Sequence, residues 1–345
     1  EIQKVLVSGN TKTSVMMENG LQIDIRVVNE SSFGAALQYF TGSKEHNIKV
    51  RKRAKQLGWT LNEYRLADEE TGEKIAGENE KEIYNKLGYQ YIPPELRDDV
   101  GEHEAALNDE IPELIQPEDI KGDLHIHSDF SDGNATIPQL VEKGLQLNYD
   151  YIAITDHLRA FGDSLTVDGV QKRNAIIRAL NKKYGEINIL NGVEVDIMSN
   201  GELYNYDKFP FEEMDVVIGA IHQKISDPSI IERLETAFQT GLIDILAHPT
   251  GRVIGRREGN IILTPEKLGP LLAKYGIVCE INALPQRLDL RSSHIRKVDG
   301  VKFAIGSDAH GTKMMEYTKT FGVGTARRGW LSKDCLLAKQ KSLNS

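Results

Sequence analysis

Between residues 122 and 306 one pattern recurs seven times: a short apolar run with a His, Asp, Glu or Asn at or just beyond its end. The runs occupy 122–127, 151–155, 187–195, 216–221, 243–247, 277–281 and 303–306. Helix-period patterns at 137–147, 169–184, 229–240 and 265–275 separate most of them. Strands that alternate with helices specify a parallel sheet, because parallel neighbours need a long crossover between them. Seven such units predict an α/β fold in which the sheet closes, or nearly closes, into a barrel.

The polar residues at the run ends carry the chemistry. His125 and His127 alternate with Leu124 and Ile126, so both imidazoles leave an extended strand on one face. Asp132 follows in a loop closed by Gly133. The second run leads into Asp156-His157, the third carries Glu194, and the fourth runs into His222. His248 follows the fifth run, Asn282 the sixth, and Asp308 and His310 the seventh. Six of the nine histidines stand at such ends, which is where β/α barrels gather their functional groups. Imidazole and carboxylate donors without thiolate suit zinc, manganese or iron. Nine donors exceed the needs of one or two ions, and three ions would use them. Three divalent charges against Asp132, Glu194 and Asp308 leave a positive surplus that attracts a phosphate. Asp156 reads as a residue that orients a ligand, and His46, His103 and His294 read as ordinary surface residues. Arg252, Arg256 and Arg257 follow His248, and Arg287 follows Asn282. Their guanidinium forks are candidates for gripping a phosphate.

Residues 1–97 hold 14 Lys and Arg against 14 Asp and Glu, and residues 121–345 hold 28 against 28. The net charge of −9 therefore sits in 98–120, with nine acids and no Lys or Arg, and this stretch reads as an acidic interdomain linker. No apolar run reaches the roughly 20 residues of a membrane span. Two cysteines without metal-type spacing fit a reducing, cytoplasmic location. In the first 97 residues, 4–8, 13–17 and 21–28 read as strands, with Asn19-Gly20 as the hairpin turn. Asp24 and Arg26 share one face of the third strand, opposite Leu21, Ile23, Ile25 and Val27. A basic helix with Lys49, Arg51 and Arg53 could meet a phosphate backbone. Residues 59–64 read as a strand and 80–87 as a helix. Strand-like sequence begins directly after Glu1, as expected of a piece of a longer chain.

Asp24-Ile-Arg26, Tyr39-Phe-Thr-Gly-Ser43, Asn62-Glu-Tyr64 and Tyr91-Ile-Pro-Pro-Glu-Leu-Arg97 resemble the end of the palm and the thumb of family X DNA polymerases. The resemblance implies that Asp24 is the third carboxylate of a polymerase metal site and that Tyr39 and Phe40 line a sugar pocket. That family's first two carboxylates lie upstream of this segment, so the polymerase site is expected to be incomplete here. Asp123-Leu-His-Ile-His-Ser128, Thr155-Asp-His157, Gly192-Val-Glu194, His248-Pro249 and Ser307-Asp-Ala-His310 resemble the polymerase and histidinol phosphatase (PHP) superfamily. This second resemblance implies a distorted seven-stranded PHP barrel over 121–345, preceded by a smaller α+β palm-end and thumb region over 1–97. It also implies a trinuclear centre. His125, His127, Glu194 and Asp308 would hold the first ion, Glu194, His222 and His248 the second, and Asp132, His157 and His310 the third. His125, His127, Glu194, Asp308 and His310 would be catalytic, and Asp132 stands where many relatives carry histidine.

The resulting expectation is a metal-dependent phosphoesterase from a family X repair polymerase. It would act on DNA 3′ ends, at primers or gaps, as a 3′-5′ exonuclease, 3′-phosphodiesterase or phosphatase, with manganese as the activating ion. A phosphomonoesterase of the histidinol phosphatase type and a non-catalytic, metal-stabilised DNA-binding fragment are the alternatives.

Overall fold

The computed structural model describes residues 1–337, and the chain divides between Ile111 and Pro112 into two units. The first opens with β1 (Ile2–Ser8), β2 (Lys12–Met17) and β3 (Gln22–Arg26), an antiparallel sheet in that order. Gly20 makes the β2–β3 turn at φ 81°, a left-handed conformation that disfavours a side chain. Only the centre of β2, at Ser14 and Val15, is buried, so the apolar residues of β3 are exposed. Helices α1 (Phe33–Thr41) and α2 (Lys44–Gln56) follow, and the Ser43 hydroxyl caps α2 by accepting the His46 N–H. A small sheet of β4 (Trp59–Leu61), β5 (Leu66–Asp68) and β6 (Lys74–Ala76) leads into α3 (Glu80–Lys86), capped by Asn79. Ala35, Val50, Leu66, Ile83, Tyr84, Ile92 and Leu96 are buried in this unit.

The acidic stretch read as a linker is folded. Residues Glu102–Leu107 form α4, and Glu102 is fully buried, accepting the backbone N–H groups of Asp99 and Val100. Ala105, Ala106 and Ile111 are buried in the first unit, and Leu114, Ile115 and Ile120 in the second. Charge counting missed these apolar residues, whose burial ties the stretch down.

The second unit carries the predicted α/β barrel. Its strands are β7 (Gly122–Ile126), β8 (Tyr151–Ile154), β9 (His157–Leu158), β10 (Asn188–Asp196), β11 (Val216–Ala220), β12 (Ile245–Leu246), β13 (Val278–Asn282) and β14 (Phe303–Gly306). Seven run parallel in the order β14-β13-β12-β11-β10-β8-β7, with short β9 pairing with β10 beyond the end of β8. A parallel bridge between Ile126 and Ala309 and the Ser307 N–H on Asp123 Oδ1 bring β14 back to β7, so the barrel is nearly closed. Helices α5 (Ile137–Gln146), α6 (Val167–Lys183), α7 (Ile230–Phe238), α8 (Pro265–Tyr275), α9 (Ser292–Ile295) and α10 (Val323–Arg328) accompany it. Strand residues such as Ile152, Val193, Val217 and Ile281 share one core with helix residues Leu140, Ile177, Leu234 and Leu268. The alternate set, Ala153, Leu190, Val216, Ile218, Ile245 and Ala304, fills the barrel interior. Gly306 is required where it stands, because a Cβ there would overlap the Glu280 carboxylate and lie 2.8 Å from His125 Cβ. No helix among the described residues is long and apolar enough to cross a membrane.

Candidate metal centre

All nine predicted donors meet at the C-terminal ends of the barrel strands, with Glu194 at their middle. Glu194 Oε2 lies 3.5 Å from His125 Nε2, 3.6 Å from His127 Nε2 and 2.6 Å from His157 Nδ1. Its Oε1 lies 3.0 Å from His248 Nε2 and 3.4 Å from His222 Nε2. Asp308 Oδ1 lies 3.3 Å from His127 Nε2 and 3.8 Å from His125 Nε2. Asp132 Oδ1 lies 3.2 Å from His310 Nε2 and 3.5 Å from His157 Nε2. One carboxylate therefore meets imidazoles from four strand ends. The chain turns sharply here: Asp308 has φ 53° and His248 φ 28°, a strained backbone of the kind that functional sites hold.

These residues fit divalent ions. Donors about 2.0–2.2 Å from a tetrahedral zinc stand about 3.3–3.5 Å from one another, close to the separations above. Within the protein, His125 Nε2, His127 Nδ1 and Nε2, Asp132 Oδ1, His157 Nδ1, Glu194 Oε2 and His248 Nδ1 are buried without a hydrogen-bond partner. Buried polar atoms are rarely left so, and those that face one another across the centre, such as His125 Nε2, His127 Nε2 and Glu194 Oε2, are what ion binding satisfies.

The electrostatics follow from burial and proximity. Burial alone would raise the Glu194 carboxyl, but His157, His125 and His222 hold it well below the usual range. Asp308 is likewise held low against burial, chiefly by His125. Burial, then His157, pushes His127 down to about 3, and burial with Arg287 lowers His248, shifts towards the neutral imidazole that metal binding requires. His222 is raised to about 9 against burial by Glu194 and Asp196.

Behind the donors stand Asn282, named from the sequence at the end of the sixth run, and Glu280, Asp196 and Arg159, which sequence reasoning passed over. Glu280 Oε1 lies 2.6 Å from His125 Nδ1, and its Oε2 accepts the His248 N–H at 2.6 Å and Asn282 Nδ2 at 3.2 Å. Asn282 Nδ2 also donates to Asp308 Oδ2 at 3.1 Å. Asp196 Oδ1 lies 2.6 Å from His222 Nδ1, and Arg159 Nη2 lies 2.9 Å from Asp132 Oδ2. The signal was present for two of them, since Glu194-Val-Asp196 and Glu280-Ile-Asn282 repeat the alternation seen at His125 and His127. Asp156 binds no imidazole; it accepts the Ser128 N–H at 2.7 Å and is paired by Arg173 at 3.0 Å, fixing the backbone just past His127. Carboxylates at Glu280 and Asp196 make the positive surplus of a three-ion centre smaller than Asp132, Glu194 and Asp308 alone would leave.

The candidate phosphate contacts separate. Arg287 joins the centre, its Nε 3.6 Å from Asp308 Oδ2. Arg252 and Arg257 lie on a loop pinned by the Thr250 and Arg252 N–H groups on Asp289, with Arg257 Nε donating to Gly251 O, and Arg256 is exposed. In the first unit Lys49 is engaged 2.6 Å from Asp99, Arg53 donates to Leu87 O, and Arg51 is exposed. Asp24 is exposed on β3 with Lys12 3.7 Å away, Tyr39 is half-buried, and Phe40 is exposed beneath Arg26. The surface reading of His46 and His103 is corrected, since both are buried, His46 completely. His294 is half-buried.

Comparison with known proteins places both units. The DNA polymerase beta thumb model matches residues 36–98 and the PHP domain model residues 123–278. The chain is 42% identical over 337 residues to the DNA polymerase/3′-5′ exonuclease PolX of Bacillus subtilis strain 168, covering 95% of this chain and 58% of that protein. It therefore spans little more than half the length of that relative. A probable phosphatase of Thermoanaerobacter sp. strain X514 is 28% identical over 205 residues, covering 54% of this chain and 78% of that one. A solved histidinol phosphate phosphatase from Lactococcus lactis aligns with TM-score 0.44 at 18% identity, over 64% of this chain and 99% of that one. With a polymerase thumb in its first unit and a PHP domain in its second, the chain belongs to the family X DNA polymerases that carry a PHP domain.

Proposed function

We propose that this chain is a metal-dependent phosphoesterase that hydrolyses phosphoesters at DNA 3′ ends. The observation that carries the reading is the ring of nitrogen and oxygen donors around Glu194, several of whose buried atoms, among them His125 Nε2, His127 Nε2 and Glu194 Oε2, lack hydrogen-bond partners within the protein. His125, His127, Glu194 and Asp308 would hold a first ion, Glu194, His222 and His248 a second, and Asp132, His157 and His310 a third. Zinc, manganese and iron suit these donors. When bound, such ions supply charge neutralisation to a phosphate and lower the pKa of water. The protein's own groups then orient and shield. Glu280 and Asp196 fix the rings of His125 and His222. Arg287, beside Asp308, stands ready to take a non-bridging phosphate oxygen. With ions bound, the centre together with Arg287 would favour the phosphorylated end of a chain over neutral sugars or peptides.

DNA as substrate is supported by the thumb match and by the name of the B. subtilis relative, a 3′-5′ exonuclease. The probable phosphatases, which match 54% of this chain, support a second reading, hydrolysis of small phosphomonoesters. Incubation with 3′-labelled and 3′-phosphorylated primers in Mn²⁺ separates the two. Release of 3′ nucleotide or phosphate, abolished in His127→Ala and Asp308→Ala, is expected. Turnover of small phosphomonoesters that DNA does not compete with would favour the second reading. Full activity in both variants would refute the site itself.

A further inference from the structure

Away from the barrel, the first unit holds another buried group of ligating side chains. His46 stands on the first turn of α2, and Glu102 and His103 on the first turn of α4. His46 Nδ1 lies 2.8 Å from Glu102 Oε1, and His103 Nε2 lies 3.4 Å from the same oxygen. The two imidazoles stack with centroids 4.5 Å apart, and one donor atom from each residue falls within 4.8 Å of the others. These separations resemble those within the barrel centre and suit one small divalent ion.

Two further observations point the same way. His46 Nε2 is 2.8 Å from the Tyr84 hydroxyl, so the ring is held with Nδ1 towards Glu102, the outer bond that metal-ligating histidines usually make. His103 is 3% exposed, and neither of its ring nitrogens has a hydrogen-bond partner in the protein. Leaving a buried nitrogen unpaired opposes folding, and a bound ion at Nε2 would remove that cost. Asp99 and Glu104 lie around the pair and Lys49 lies between them, 2.6 Å from the first and 3.8 Å from the second, so the surroundings are not net repulsive to a cation.

We propose that His46, Glu102 and His103 bind a structural divalent ion of the zinc type that clamps α4 onto α2. Two nitrogens and one oxygen without thiolate fit zinc with a water as fourth ligand. The ion holds the acidic stretch against the thumb helices by coordination, where a short helix of six residues has little surface of its own to bury.

The test uses the full chain refolded in zinc, with metal content measured by mass spectrometry and local opening by hydrogen exchange. His103→Phe keeps a buried ring against His46 and Tyr89 but removes both nitrogens, and Glu102→Gln keeps an acceptor for one of the two backbone N–H groups that Glu102 binds. Each is expected to lose one equivalent of zinc relative to the unaltered chain. Zinc is expected to protect amides of residues 44–56 and 102–107 in the unaltered chain and not in His103→Phe. Because zinc would also reach the barrel, it is the protection seen in the unaltered chain and lost in His103→Phe that reports on this cluster. Unchanged zinc content in both variants, or equal protection with and without zinc in the unaltered chain, would overturn the proposal. A His103→Phe chain more stable than the unaltered one even in zinc would do so as well.

Discussion

Glu280→Gln tests whether the carboxylate behind the centre sets the tautomer of His125. Glu280 is 1% exposed and serves two sides at once. Its Oε2 faces two groups that can only donate, the His248 backbone N–H and Asn282 Nδ2. A glutamine must keep its oxygen there, since its NH₂ would otherwise face two donors. The NH₂ is then turned towards His125 Nδ1, which has to become the acceptor. The ring proton moves to Nε2, the atom 3.5 Å from Glu194 and 3.8 Å from Asp308. A ligand nitrogen must be deprotonated, so His125 is withdrawn from the first proposed ion. Loss of a partner of this kind weakens metal binding or activity by about 10–100-fold, or about 1.4–2.7 kcal/mol. Competition with a chromophoric chelator gives the affinity, and Mn²⁺-dependent primer hydrolysis gives the rate. A folded Glu280→Gln chain with unaltered affinity and rate would refute the tautomer argument. Lower stability alone, with metal affinity intact, would reduce Glu280 to a packing role.

Two further substitutions probe the frame of the barrel. Arg173→Met leaves the fully buried Asp156 without its cation, at a cost of about 3–5 kcal/mol in urea unfolding, and Asp156→Asn in the same chain should recover part of it. No recovery would mean that Arg173 acts through Asn191 and Gly192 instead. Asp244 is pushed up to about 6 by burial, although it accepts the Val217 N–H. Its folded-state value lies above the unfolded one, so it costs stability as pH rises from about 4 through 6, reaching about 3 kcal/mol at neutrality. Asp244→Asn is therefore expected to stabilise the chain at pH 8 and to leave it unchanged at pH 4; an equal effect at both pH values would count against the linkage.

The barrel was legible because its evidence is local. Each strand is a short apolar run, each crossover has helical period, and each donor stands at a run's end, so His125, His157, Glu194, His248 and Asp308 could be placed without knowing their neighbours. What escaped depends on contacts distant in sequence. Glu280 joins the centre by reaching back 155 residues to His125, and Glu102 is buried by His46 across 56. Alternation puts Glu280 and Asn282 on one strand face, but periodicity names no partner for Glu280 or for Glu102. The short strand β9 was missed for a related reason: two residues are too few to show a period, and only pairing with β10 defines them. The acidic stretch misled because charge density was read as exposure, whereas its scattered apolar residues, from Ala105 to Ile120, are buried in the two units.

The third proposed site shows how one local substitution is absorbed by a neighbour. Asp132 stands where the superfamily resemblance leads one to expect an imidazole, and a carboxylate in that place adds a negative charge to the centre. The charge is met at once, because Arg159 Nη2 binds Asp132 Oδ2 at 2.9 Å while Oδ1 is left towards His157 and His310. The guanidinium takes one oxygen and makes the carboxylate a one-oxygen donor, as an imidazole would be a one-nitrogen donor. Arginine has no acceptor and cannot be deprotonated in a protein, so it could not hold a metal-bound imidazole at that position in the same way. Asp132 and Arg159 therefore act as a matched pair. The donor changes from nitrogen to oxygen, which favours harder ions such as manganese, with little change in the charge of the centre.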